Sequence, residues 1–81
     1  MHVTVRLFAR LRELAGAGEL AREVPPGATV RTVWDGLVRD YPQLGPYAES
    51  MSCAVNIDYA RMTTAVSDGD EVAFLPPVSG G

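Results

Sequence analysis

One long amphipathic segment, residues 30–39, constrains the fold of this 81-residue chain more than any other feature. A helix there places its apolar side chains on one face: Val30, Val33, Trp34, Leu37 and Val38. Thr29 is a suitable N-cap, and Asp40-Tyr41-Pro42 ends the helix because a residue before proline resists helical backbone angles. A chain of this size supports one modest core. One helix must therefore cover one face of the sheet that the other segments form, and Trp34 is interpreted as core rather than as a ligand-binding residue.

The first half of the chain contains two predicted strands and a short helix. Apolar and polar residues alternate over residues 3–8, as in a half-buried strand, with Phe8 out of phase on the outward face. Residues 9–15 are good helix formers. Residues 20–24 predict a weaker strand, and its charged side chains favour a position at the edge of a sheet.

The second half of the chain contains three further predicted strands. Residues 53–57 are mostly apolar and indicate an interior strand. We expect a tight turn at residues 58–60 and a short strand at residues 61–63. The Ser67-Asp68-Gly69-Asp70 run is a strong turn signal, and it precedes the last strand, residues 71–75.

The order of these elements predicts an α+β fold of the β-grasp, or ubiquitin-like, type. Its first and last strands have the strongest strand patterns, so we expect them to pair at the centre of a mixed sheet, with the main helix packed on one face. The opposite face would then stay open, and Phe8, Tyr59 and Leu75 are expected to gather there. Exposed apolar patches on small domains usually mark partner-binding sites.

The last strand runs directly into Pro76-Pro77. Proline has no N–H and holds φ at about −65°, so a sheet ladder cannot continue through this pair. We expect residues 76–81 to project as an extended tail, of at most roughly 20 Å, from a domain formed by residues 1–75. Gly80-Gly81 have no side chains, which leaves a terminal carboxylate sterically accessible. The alternative is a frayed end without function.

Charge and composition argue against several classes of protein. A net charge of −3 disfavours binding to nucleic acid or to an anionic membrane. All seven basic side chains are arginine, so the sequence offers no side-chain amine for Schiff-base or acylation chemistry. The single cysteine cannot form an internal disulfide and fits a reducing compartment. No signal peptide or membrane-spanning run is recognised, and we expect a cytoplasmic protein.

Few side chains in this sequence could support catalysis. His2 has no evident partner, and Cys53 begins an apolar strand, where a buried structural thiol is expected. Asp68 and Asp70 lack the further oxygen ligands of a calcium loop, so no metal site is predicted. We therefore expect neither an enzyme nor a stably bound cofactor. The carboxylate of Gly81 remains as the reactive group: ATP could convert it to an acyl-adenylate, and a sulfur nucleophile could then give a thiocarboxylate.

A resemblance to a known family covers essentially the whole chain. It is carried by Leu7-Phe8-Ala9 with Leu11-Arg12-Glu13-Leu14, by Ala54-Val55-Asn56, by Asp68-Gly69-Asp70-Glu71-Val72-Ala73-Phe74, and by Pro76-Pro77-Val78-Ser79-Gly80-Gly81. With these segments the chain resembles the small subunits of molybdopterin synthase, the MoaD-like sulfur carriers of the ubiquitin-like and ThiS superfamily. The Gly-Gly end is common to ubiquitin-like carriers, whereas the acidic turn joined to the Pro-Pro-Val-Ser-Gly-Gly end is more specific.

The resemblance implies a sulfur-carrier cycle in molybdenum cofactor biosynthesis. An E1-like adenylyltransferase would activate Gly81 with ATP, and a cysteine-derived sulfur donor would convert it to a thiocarboxylate. The tail would then enter the large synthase subunit and give sulfur to cyclic pyranopterin monophosphate. Two carriers on a dimeric large subunit would form a heterotetramer, and the carrier itself would be a non-catalytic subunit.

The resemblance also assigns roles to individual residues. Gly81 would be the reactive residue, carried by a tail of Pro76, Pro77, Val78, Ser79 and Gly80. Phe8, Tyr59 and Leu75 would form an apolar docking patch, with Arg12 offering an ion pair at its rim. Tyr59 stands where an aliphatic residue is expected and Leu75 where an aromatic one is expected, and the patch stays apolar with both.

Three other functions remain open at this point. The chain could carry sulfur for another pathway, such as thiamine, cysteine or tRNA thiolation. It could be a ubiquitin-like modifier that attaches Gly81 to a target lysine. It could also be a plain interaction module whose tail has no chemical role. Intact mass after incubation with an adenylyltransferase, ATP and a sulfur source would distinguish carriers from the last class.

Overall fold

The computed structural model describes residues 1–77 and contains a mixed five-stranded sheet. The strands are β1 (His2–Leu7), β2 (Glu19–Glu23), β3 (Ser52–Val55), β4 (Asp58–Ala60) and β5 (Glu71–Leu75). The helices are α1 (Ala9–Ala15) and α2 (Val30–Asp40), and a 3₁₀ helix, Pro42–Tyr47, follows α2.

The sheet confirms the predicted β-grasp arrangement. Its strand order is β2-β1-β5-β3-β4. The first and last strands, β1 and β5, lie side by side at the centre and are parallel, whereas all the other neighbours are antiparallel. β2 occupies an edge, as its charged residues predicted, and β4 forms the other edge.

The core lies between α2 and one face of the sheet. Alternation along the central strands buries every second residue, including Val5, Val72 and Phe74. Trp34 of α2 is 1% exposed, and its ring lies 5.0 Å from that of Phe74, measured between centroids. A tilted aromatic pair of this kind contributes about 0.5–1.5 kcal/mol beyond its buried area. The interpretation of Trp34 as a core residue is therefore confirmed.

Both ends of α2 agree with the sequence signals. The backbone N–H of Thr29 donates a hydrogen bond to Oγ1 of Thr32 at 3.1 Å, which places Thr29 at the N-cap. The helix ends at Asp40, and Tyr41 precedes the proline that starts the 3₁₀ helix. Arg22 of β2 forms an ion pair with Asp40, so the end of α2 is attached to the edge of the sheet.

The turn before β4 differs from the sequence prediction. We expected a turn at residues 58–60 and a strand at residues 61–63, and both were wrong: residues 58–60 form β4, and the turn lies at Asn56 and Ile57. Their φ angles are 50° and 68°, in the left-handed region, as in a two-residue type I′ hairpin turn. Glycine usually occupies such positions, and a β-branched isoleucine gives no turn signal.

Hydrogen bonds join this hairpin turn to the start of β5. Nδ2 of Asn56 donates to Oδ1 of Asp70 at 2.9 Å, and the backbone N–H of Glu71 donates to Oδ1 of Asn56 at 2.9 Å. The backbone N–H of Ser67 donates to Oδ2 of Asp70 at 2.7 Å. The Asn56 amide and the Ser67 N–H hold the pKa of Asp70 below its ordinary value of 3.8. The predicted turn at residues 67–70 is thus confirmed, and Asp70 stabilises it.

Candidate functional site

The face of the sheet opposite α2 is the candidate site, and we call it the open face. Arg6 pairs with Ala73, Ala73 with Ala54, and Ala54 with Tyr59. Paired residues project to the same side of a sheet, so these side chains form one row across four strands. Leu75 pairs with Ser52 and begins the next row. The alternation that buries the core therefore presents a second set of residues outward.

Phe8 and Leu75 form one end of the open face, which we call the apolar end. Leu75 is the last residue of β5 and is 37% exposed, and Phe8, directly after β1, is 39% exposed. Leu7 pairs with Phe74 in the parallel register, and Phe8 keeps extended angles, φ −124° and ψ 154°. The next residues of the two strands are therefore neighbours on the outward face. The prediction that these two side chains meet on the open face agrees with this register.

Tyr59 lies on the same face but farther from the apolar end. It is 92% exposed in the edge strand β4. Adjacent strands are about 4.8 Å apart, so β4 lies about 10 Å from β5. Ala54 and Ala73 occupy the intervening positions of the row. The structure thus gives a shallow floor of small side chains, with Tyr59 on one side and the apolar end on the other.

Ile57 is an exposed apolar residue that sequence reasoning did not select. It is 92% exposed at the tip of the β3–β4 hairpin, two residues before Tyr59. The sequence pattern placed it inside a strand, because a run of apolar residues from position 53 to 57 resembles an interior strand. Only the left-handed angles of the turn bring it to the surface.

Arg12 lies in α1 and is not part of the strands that carry the row of alanines. It belongs to a depression lined by Ala9, Arg12, Glu13, Gly16, Ala17 and Gly18. Its side chain covers Gly18 so closely that a Cβ added there would lie 3.2 Å from Cδ of Arg12. The role of Arg12 at the rim of the docking patch stays a prediction.

A charged group borders the apolar end. The guanidinium of Arg6 lies 3.8 Å from a carboxylate oxygen of Glu19 and 3.7 Å from one of Glu71. Its Cζ is 5.8 Å from the centroid of the Phe8 ring, within the range of a cation–π contact. Exposed ion pairs of this kind contribute about 0–1 kcal/mol each. An apolar centre with a charged rim is the usual composition of a protein interface.

Neither of the side chains considered for catalysis lies at the apolar end: Cys53 is on the buried face of β3, and His2 is at the opposite end of β1 from Phe8. Cys53 is 7% exposed, its Sγ donates a hydrogen bond to the carbonyl oxygen of Ala60 at 3.2 Å, and burial raises the pKa of the thiol. The backbone N–H of His2 donates to Oδ1 of Asp68 at 2.7 Å. Within residues 1–77, no three His, Cys, Asp or Glu side chains are placed to hold a metal ion. None of the helices in this part of the chain is long and apolar enough to cross a membrane.

The start of the predicted tail follows the apolar end directly. β5 stops at Leu75, and Pro76 and Pro77 continue outside the strand. The remaining tail residues, Val78, Ser79, Gly80 and Gly81, lie outside the described residues. The predictions for them, including the reactive role of Gly81, stay predictions.

Comparison with known proteins gives matches over the full domain. The model of the ThiS family matches residues 5–81. The chain is 37% identical over 81 residues to the molybdopterin synthase sulfur carrier subunit of Arabidopsis thaliana, covering 100% of this chain and 84% of that protein. It is 39% identical over 82 residues to the subunit of the same name from Mycobacterium tuberculosis, covering 98% and 96% of the two chains.

One further relative matches in both sequence and structure. The small archaeal modifier protein 1 of Haloferax volcanii is 36% identical over 84 residues, covering 94% of this chain and 97% of that protein. The crystal structure of SAMP1 from Haloferax volcanii superposes with a TM-score of 0.91 at 32% identity, covering 100% of each chain. The likeness to this structure extends over the whole β-grasp domain.

Proposed function

Because this chain belongs to the ThiS family, we propose that it is a sulfur carrier of molybdopterin synthesis and a non-catalytic subunit of the synthase. Full-length likeness to two sulfur carrier subunits supports this assignment. An E1-like adenylyltransferase uses ATP to convert the carboxylate of Gly81 to an acyl-adenylate. Sulfur from a cysteine-derived donor then displaces AMP, and the resulting thiocarboxylate gives its sulfur to cyclic pyranopterin monophosphate.

The observation that carries the proposal is the position of the apolar end. Phe8 and Leu75 lie where the chain leaves the sheet at Pro76. A partner that covers these two side chains also receives the residues that follow Pro77. Binding of the domain, residues 1–75, is thereby coupled to delivery of the tail, residues 76–81.

The partner proposed for the open face is the large subunit of the synthase. Phe8, Tyr59 and Leu75 are exposed apolar groups that such a partner can bury, and Arg12 adds an ion pair at the rim. Two carriers bound to a dimeric large subunit make a heterotetramer. Aromatic residues are enriched in the central part of such interfaces, and tyrosine is frequent among the residues that contribute most to binding.

Charging of Gly81 is tested by intact mass. The chain is incubated with an adenylyltransferase, ATP and a sulfur source, and we expect a shift equal to replacement of one oxygen by sulfur. A variant that lacks Gly81 is the matched control and should show no shift. Absence of the shift in the full chain, or its persistence in the shortened variant, contradicts the carrier function.

The acceptor is tested by adding the large subunit and the pterin precursor to the charged carrier. A carrier of molybdopterin synthesis loses its sulfur only when both are present, and the dithiolene product accumulates. A carrier for thiamine, cysteine or tRNA thiolation stays charged in this mixture. The comparison of the complete mixture with one lacking the precursor separates transfer from hydrolysis.

Protein modification is the second candidate function. The likeness to a small archaeal modifier protein in both sequence and structure favours it. In this case the activated carboxyl group of Gly81 forms an isopeptide bond with a target lysine. Incubation with the adenylyltransferase, ATP and candidate target proteins, without a sulfur source, would then give covalent conjugates that reducing agents do not break. Conjugates that a thiol reagent cleaves would instead indicate a thioester.

A further inference from the structure

Activation of Gly81 presents an electrophilic acyl group to nucleophiles of the same chain. The six residues 76–81 span at most roughly 20 Å. The described domain measures 37 × 24 × 18 Å, so this length reaches a large part of its surface. A tethered nucleophile within reach reacts at an effective concentration on the order of millimolar. Any reactive amine or thiol on the domain would therefore compete with the partner for the acyl group.

Amines are the first class of competitor, and the sequence contains almost none. All seven basic side chains are arginine, whose guanidinium stays protonated at ordinary pH and is a poor nucleophile. The α-amino group of Met1 donates a hydrogen bond to the carbonyl oxygen of Val24 at 2.7 Å. This hydrogen bond holds the Met1 amine, which is the amine left in the absence of lysine, against the residue that follows β2.

The ion pairs of two of the arginines, Arg10 and Arg6, do not require a guanidinium. Arg10 reaches Oε2 of Glu13 through one nitrogen at 3.1 Å, and both side chains are more than half exposed. Lysine makes surface pairs of this kind at i, i+3 equally well. Arg6 approaches Glu19 and Glu71 at 3.8 and 3.7 Å, too far for the bidentate geometry in which arginine surpasses lysine. The ion pairs of Arg10 and Arg6 therefore give no reason for the absence of lysine at these two positions.

Thiols are the second class of competitor. Cys53 is the single cysteine of the sequence, and it lies in the interior strand β3 with 7% of its surface exposed. Its Sγ donates to the carbonyl oxygen of Ala60. A thiol in this position is shielded from an acyl group at the end of the tail, and burial keeps it protonated.

We propose that the domain is inert toward its own activated carboxyl group and acts as an acyl donor that does not acylate itself. This inference rests on the proposed activation of Gly81. The reaction that it avoids is attack of a neutral amine on the carbonyl carbon of Gly81. A C–N bond would form, the bond to the AMP oxygen or to a thiol sulfur would break, the amine would lose a proton, and AMP or thiol would leave.

Arg61 offers the sharpest position for a test. Cys53 pairs with Ala60 in an antiparallel register, so Arg61, the next residue, lies beside Ser52. Ser52 pairs with Leu75, so Arg61 lies two strands from the end of β5. At about 4.8 Å per strand, this distance is about 10 Å, within the reach of the tail. The side chain of Arg61 is exposed, and its backbone N–H, not its guanidinium, donates to Oγ1 of Thr64. Arg61→Lys introduces an amine there, and Arg61→Gln is the matched control without one.

The experiment uses the full chain with Gly81 converted chemically to a thioester of a small thiol. The three proteins are kept at mildly alkaline pH and followed by intact mass. We expect the unchanged chain and Arg61→Gln to give only the hydrolysed acid. Arg61→Lys should also give a product one water lighter than that acid, with an amide at position 61 in the peptide map. An excess of free lysine should convert all three thioesters to amides, which establishes that each is reactive.

Two results would overturn the proposal. One is an amide at Met1, or an amide-linked dimer, in the unchanged chain. The other is an Arg61→Lys variant that forms no more amide than Arg61→Gln, because the absence of lysine would then not be what prevents self-acylation. Alkylation of Cys53 in the native protein as fast as in the unfolded protein would refute the part that concerns the thiol. Because the thioester is made chemically, none of these outcomes depends on the adenylyltransferase or the sulfur donor that test the proposed function.

Discussion

Replacement of Tyr59 by alanine tests the docking role of the open face most directly. The side chain is 92% exposed, so its removal takes almost no packing from the folded domain. Its burial by a partner would remove roughly 150–250 Å² from water. At about 25 cal/mol per Å², that area sets an upper limit of about 4–6 kcal/mol on its contribution to binding. Hot-spot residues, among which tyrosine is enriched, cost about 2 kcal/mol or more when truncated, and we expect about 2–4 kcal/mol for Tyr59.

We therefore expect Tyr59→Ala to raise the Kd for the large subunit by roughly 30- to 1,000-fold. The assay is isothermal titration calorimetry of carrier into large subunit, with a thermal melt of each carrier alone. Tyr59→Phe is the matched control: it keeps the ring and should bind within a few-fold of the unchanged protein. Ile57→Ala, equally exposed at the hairpin tip, reports whether any exposed apolar side chain has the same effect.

Two outcomes would refute this reasoning. If Tyr59→Ala binds the large subunit as tightly as the unchanged chain, the partner does not cover β4, and the docking surface is limited to the apolar end. If the Tm of Tyr59→Ala falls clearly below that of the unchanged chain, the side chain stabilises the domain, contrary to its exposure.

Three further predictions concern the apolar end and the hairpin. Leu75→Asp should weaken large-subunit binding at least tenfold with a thermal transition retained, since Leu75 is outward-facing; loss of the transition would show that it belongs to the core. Ile57→Gly should raise Tm by roughly 4–8 °C, because about 1 kcal/mol of left-handed strain is relieved in a domain of this size; an unchanged or lower Tm would contradict the strain. Asp70→Asn should lower Tm near neutral pH, where the carboxylate is charged. The pKa of Asp70 in the folded domain lies below 3.8, so its stabilisation is present above that value and is lost as pH falls through the folded pKa. The difference in Tm between the two proteins should therefore narrow in acid. A difference that does not depend on pH would contradict the assigned contacts.

Much of the fold could be predicted from the sequence because local patterns and global packing agree. The apolar stripe of α2 and the alternation of β1 and β5 each identify the buried face of one element. Pro76-Pro77 identifies the end of the last strand, since proline cannot continue a ladder. The error at residues 58–63 has a local cause: an isoleucine in a left-handed turn imitates a strand residue.

The candidate site could be predicted only in part. Phe8 and Leu75 are recognisable because each is apolar at a position where a strand turns its side chain outward. The distance of Tyr59 from them, and the floor of Ala54 and Ala73 between, could not be foreseen. These follow from the pairing register, in which a shift of one residue would send each side chain to the other face.

The sequence by itself determined the β-grasp elements outside the β3–β4 hairpin, the amphipathic face of α2, the absence of lysine and the glycines at Gly80-Gly81. These are properties of residue type and spacing along the chain. The tertiary structure alone decided which outward residues become neighbours, that Ile57 lies at an exposed tip, and that the Met1 amine and the Cys53 thiol are both engaged. The physical reason is that such contacts join strands distant in sequence, and strand pairing and burial specify them only when the whole sheet has formed.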